Sequence, residues 1–177
     1  PTKTHDPKLD ILRGNKRTGM INRIIIDQPA HDTQRVFADA IEPYDLVVLD
    51  ASPDSGPLRN ILSAMTAFFV ISTLTDPLGR DELIAIVKEV QKTGIQYVVV
   101  PAKVQERALS DGFIEGMRKM WGVHVDDPIP EREAVRQAVQ DQLDLFRAVK
   151  DGQRQYRKGA QEVAAAYAAL GKKILDM

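Results

Sequence analysis

The chain has 177 residues, 44% of them apolar, with 24 basic against 25 acidic side chains and a net charge of −1. That size and apolar content suffice for the core of a single domain over residues 1–177, and the charge balance excludes a polycationic protein while leaving room for a local basic patch. The absence of cysteine excludes disulfides and thiolate metal sites.

No apolar run approaches the ~20 residues of a membrane span, and no signal-peptide profile is present. A cytoplasmic protein without membrane contact is therefore expected. His5, His31 and His124 are scattered, none with a second histidine at ligand spacing, so they read as ordinary surface or core residues.

In chain order, Arg23–Ile26, Leu46–Leu49, Phe68–Ser72 and Tyr97–Val100 are β-rich runs. Their apolar character is continuous, as in strands covered on both faces. Between them lie helical stripes. Leu58, Ile61, Leu62 and Met65 form one, and Leu83, Ile84, Val87 and Val90 form the next, ending at Thr93-Gly94. Ser110 is placed to cap a helix carrying Phe113, Met117 and Met120, and Val163, Tyr167, Leu170 and Ile174 mark a last helix. Alternation of strand and helix predicts an α/β three-layer sandwich, with a mostly parallel sheet and helices on both faces.

Residues 44–57, YDLVVLDASPDSGP, carry the first chemical signal. An apolar run climbs to Asp50 and breaks into a Ser-Pro-Asp-Ser-Gly turn. An acid at the carboxyl end of a buried parallel strand faces the crevice where α/β folds bind ligands. The pattern has the form of a Walker B segment, whose carboxylate holds Mg²⁺, usually through water, beside nucleotide phosphates. Ordinary turn chemistry accounts equally well for residues 52–56.

Further stretches fall in a definite order. Asp10-Ile11-Leu12-Arg13-Gly14 is similar to D-V-L-x-G, and Ile24–Ala30 to a strand ending in a short Pro-Ala turn. Tyr44–Pro53 is similar to Y-D-x-I-[IL]-[IL]-D-x-P-P, with Ser52 in place of the first proline. Pro128–Ala138 is similar to an I-P-R-N-x-x-x-x-E-A loop, and Lys158-Gly159-Ala160 through Leu170 to a closing K-G-A-x-x-Y-x-x-L helix. From about Lys8 to Leu175 the chain thus resembles the C-terminal two-thirds of a ParA/MinD-type deviant-Walker P-loop ATPase, most like the ParA partition proteins.

The resemblance implies a P-loop NTPase-like fold and a role in plasmid or chromosome partition. It implies ATP and Mg²⁺ as cofactors, an ATP-bound homodimer, a ParB-type centromere-binding partner, and sequence-independent DNA binding with nucleoid association. Residue by residue, Asp50 corresponds to the Mg²⁺-associated acid acting through water, and Ser52 and Pro53 to the switch loop sensing the γ-phosphate. Pro130 and Arg132 correspond to the loop beside the adenine, although Glu131-Arg132 stands where the family has Arg-Asn. Arg154, Arg157 and Lys158, with Lys150, Lys172 and Lys173, correspond to the DNA-binding region. Pro101-Ala102-Lys103 replaces an Asn- or Thr-bearing strand end. The Ala-rich stretch Val163–Leu170 has no bulky amphipathic membrane face, unlike a MinD-type anchor.

The phosphate cradle K-G-G-x-G-K-[ST] does not occur in the chain, and Gly14–Gly19 reads as a basic surface turn. The D-x-D-P segment is also absent, and Pro1 is expected to be its proline, so that the chain starts after the phosphate loop. Two expectations follow. One is a partition ATPase represented without its Walker A region and inactive in this form; the other is a non-enzymatic interaction module that has lost nucleotide binding.

Overall fold

The computed structural model describes residues 2–3, 10–11, 30–50, 63–76, 79–105, 108–140, 145–150 and 157–176. The chain divides into two compact units, Pro1–Thr66 and Ala67–Met177. The expected strand Arg23–Ile26, the basic turn Gly14–Gly19 and most of the Leu58–Met65 stripe lie outside the described residues.

In the first unit, β1 (Thr2–Lys3) pairs antiparallel with β2 (Asp10–Ile11), placing Thr2 opposite Ile11. Helix α1 (Ala30–Ile41) carries Asp32 in its first turn, where the positive helix end favours an acid. It closes ahead of Pro43, which cannot continue a helix, with the Tyr44 amide donating to the Ile41 carbonyl at 3.0 Å. Leu46–Leu49 differ from expectation. They have no regular secondary structure and are exposed, Val48 at 83%. An apolar run becomes a strand only when a neighbouring strand satisfies its backbone groups, and no described residue pairs with this one.

The second unit is built on β3 (Phe68–Leu74) and β4 (Gln96–Ala102), paired in parallel from Phe68↔Gln96 to Leu74↔Ala102. Parallel neighbours need a crossover, and α2 (Arg80–Thr93) supplies it. Asp81 and Glu82 at its start and Lys92 at its end complement the helix dipole. Leu83, Val87 and Val90 are buried as their spacing predicts. The stop at Gly94 is a left-handed cap, φ 69°, whose amide donates to the Gln91 carbonyl. A Cβ at Gly94 would meet nothing within 4 Å, so Gly94→Ala isolates the backbone cost. We expect a loss of about 1 kcal/mol in urea unfolding, with Gly94→Asn losing less; equal stability of all three proteins would contradict the cap.

Helix α3 (Ala108–Trp121) and a 3₁₀ turn, Gly122–His124, follow β4. The chain then runs alongside β4 again. Asp126 and Ile129 donate backbone bonds to the Val99 and Pro101 carbonyls at 2.9 and 2.8 Å, and isolated parallel bridges join Val99 to Val125 and Val104 to Pro130. The backbone groups of Ile129 and Glu131 face β4. In extended chain the intervening residue faces the other way, so Pro130 places its donor-less nitrogen outward. Helices α4 (Glu133–Gln140), α5 (Leu145–Lys150) and α6 (Arg157–Leu175) complete the unit.

Two apolar clusters meet at β4. Tyr97 and Val99 pack with Ile71, Leu83, Val87, Val90, Ile114, Met117 and Val125. Val98 and Val100 pack with Ile129 and Val163, flanked by Phe68, Val135, Leu145 and Leu170. Burial of both sets of alternate residues explains why β4 reads as one continuous apolar run. β3 behaves differently: Ile71 is buried but Val70 and Leu74 are exposed. On α6 the alanines Ala160 and Ala164 are buried alongside Val163, while Tyr167 is exposed; the small side chains let the helix axis approach its neighbours. The described residues are mixed helix and strand with one parallel strand pair, an arrangement compatible with the α/β class.

Candidate functional site at the carboxyl end of β4

The carboxyl ends of β3 and β4 and the end of the segment 125–131 lie at one edge of this parallel arrangement, the position from which α/β proteins contact ligands. The turn leaving β4 is distinctive because Lys103 has φ 52° without being glycine. A side chain in that region costs about 1 kcal/mol, and the turn is held by a ladder on its far side. The Val104 amide donates to the Ile129 carbonyl at 3.0 Å, and the Glu131 amide to the Val104 carbonyl at 2.9 Å. Pro130 sits between these bonds, where a residue without an N–H loses nothing.

The neighbouring pair Glu131 and Arg132 points its charges to different elements. The Glu131 carboxylate accepts from the Gln105 side-chain amide and from the Arg136 guanidinium. The Gln105 bond first, and then Arg136, hold the Glu131 carboxyl below its ordinary range, while Glu131 raises Arg136. A depressed carboxyl contributes stability above its unfolded value, lost as pH falls through the folded one. Arg132 reaches α6 instead. Its Nε and Nη2 donate to the two oxygens of Glu162, each at 2.8 Å, and Nη1 donates to the Glu131 carbonyl at 3.1 Å. The arrangement is a planar fork on a carboxylate. The stem of Arg132 crosses Gly159, where a Cβ would lie 3.1 Å from the Arg132 Cβ and 3.3 Å from its Cγ.

At the end of β3, the Thr75 hydroxyl donates to that of Ser110 at 3.1 Å. Ser110 is 6% exposed and lies inside α3, which begins at Ala108. It therefore joins α3 to the strand end, and the expected N-cap role is not what the hydroxyl performs. The buried face of α3 carries Ile114 and Met117, with Met120 exposed, so only Met117 of the three expected positions is fully inside.

Pro130 and Arg132 are thus brought together at the strand end. Asp50 belongs to the first unit, exposed and at the end of the irregular run 46–49. Ser52, Pro53 and Arg154 lie outside the described residues, and Arg157 and Lys158 form the first two backbone positions of α6. Sequence reasoning missed Gln105, Arg136 and Glu162 as partners. The one signal was the glycine of Lys158-Gly159-Ala160, which permits the close approach of Arg132.

Among the described residues no three acids or histidines cluster, and Asp50 is exposed. Among the described residues, no helix is long and apolar enough to cross a membrane. No protein-family model matches the chain, and no curated protein matches it.

Proposed function

We propose that the chain is a ParA-like partition module whose 177 residues carry the DNA- and partner-facing part of the domain without the phosphate cradle. One observation carries this reading. Two stretches that resemble the family separately, Ile129-Pro130-Glu131-Arg132 and Lys158-Gly159-Ala160, meet through the stem of Arg132 against Gly159. Helices packed against both sets of β4 side chains support a three-layer, P-loop NTPase-like arrangement. On this reading a ParB-type protein is the partner, duplex DNA is bound without sequence preference, and an ATP-bound homodimer belongs to the form that has a phosphate loop. Two unrelated duplexes should bind with equal, salt-sensitive affinity. Binding to neither would remove the partition reading.

ATP chemistry is not expected from these residues. Phosphoryl transfer needs donors for the developing charge, and loss of even one such donor costs roughly 10²–10³ in rate. Calorimetry with millimolar ATP and Mg²⁺ should show no saturable binding. Micromolar binding abolished by Asp50→Ala would reveal a substitute phosphate site and overturn this account. The second reading, a non-enzymatic interaction module, is favoured by the side chains at the strand end bonding one another: Glu131 is occupied by Gln105 and Arg136, and Arg132 by Glu162.

A further inference from the structure

We propose that the Arg132–Glu162 fork is a latch that ties the turn at the end of β4 to the first turns of α6, and that its opening changes the affinity of the basic start of α6 for duplex DNA. The second half rests on the proposed DNA-binding role; the latch itself does not.

The geometry has three parts. The fork uses both carboxylate oxygens of Glu162, from a residue 30 positions away, so its two planar groups fix direction as well as distance. Gly159 lies one helical turn before Glu162 and makes room for the arginine stem. Together they pin α6 at two levels of one face. Finally, Glu131 anchors the same turn to Gln105 and Arg136, so the turn that holds Arg132 is fixed from the opposite side.

The latch is also accessible. The side chains of Arg132 and Glu162 are 26% and 50% exposed. An anion arriving at the strand end, such as a phosphate group, competes with Glu162 for the guanidinium, which presents the same fork to either. Arg157 and Lys158 directly precede Gly159 at the start of α6, so loosening this contact alters the order of the segment that carries them. Ala160, fully buried with Ala138, keeps the helix seated when the fork opens, which makes the change local.

The experiment compares the full chain with Arg132→Lys, Glu162→Gln and the exchange Arg132→Glu/Glu162→Arg. Hydrogen exchange of the amides from Val163 to Ala166 should quicken about fivefold in Arg132→Lys and Glu162→Gln, an effect on the scale of one partly exposed ion pair. The exchanged pair should return to within about twofold of wild type, which a merely structural loss of Arg132 would not do. Anisotropy on a generic duplex should move with the exchange rates. Unchanged exchange in Arg132→Lys and Glu162→Gln overturns the latch. Quickened exchange with unaltered duplex affinity overturns its coupling to DNA. Absence of duplex binding in the wild type overturns the DNA-binding reading itself, and hydrogen exchange still decides the latch.

Discussion

Met117→Ala is expected to destabilise the second unit by about 2–5 kcal/mol, the range for truncating a large buried aliphatic side chain. Met117 is 1% exposed and belongs to the cluster formed by α2, α3 and one face of β4. Truncation removes its transfer energy and leaves a void that neighbours held by the sheet fill only in part. Trp121, the single tryptophan of the chain, packs against this cluster. Its fluorescence during urea unfolding therefore reports the affected unit. Met120→Ala is the control because Met120 is 43% exposed on the same helix; it should cost well under about 1 kcal/mol. Similar losses for the two variants would show that the face of α3 is wrongly assigned.

On the proposed DNA-binding role, Arg154→Glu/Arg157→Glu/Lys158→Glu is expected to weaken duplex binding strongly. With a net charge of −1, long-range attraction is small and affinity depends on local phosphate contacts. Three such contacts would give a slope of about −2.7 for the logarithm of affinity against that of salt. Reversal replaces each contact with repulsion, so the loss should exceed tenfold at low salt and be alike on two unrelated duplexes. Anisotropy at two salt concentrations measures both quantities. If the reversed protein binds as the wild type does, the basic segment is a solvated helix face and the interaction-module reading stands.

Part of this architecture was legible in the residues. The uninterrupted run Tyr97–Val100 announced that β4 is buried on two faces, and the Leu83, Val87, Val90 stripe with its glycine stop marked α2. These signals are local, set by side-chain period and backbone freedom. Leu46–Leu49 shows the limit. Four apolar residues are enough to suggest a strand, yet pairing depends on a partner elsewhere in the chain. Ser110 shows another: a hydroxyl near a helix start suits a cap, but Thr75 bonds it from the end of β3. At the candidate site, Pro130 and Arg132 were picked out by resemblance, while Glu162 and Gln105 were silent because a side-chain contact across 30 or 26 positions leaves no periodic trace.

The outward nitrogen of Pro130 has a bearing on how molecules of this protein meet one another. Among the described residues the segment running beside β4 is the last on its side of the hydrogen-bonded ladder, and a margin of that kind invites the backbone of a second chain. Pro130, at the outward position between Ile129 and Glu131, withholds the donor such a strand would need there, while the inward amides of Ile129 and Glu131 still bind β4 and the turn that leaves it. At this position the segment thereby keeps its own pairing and is a poor template for a second copy of itself.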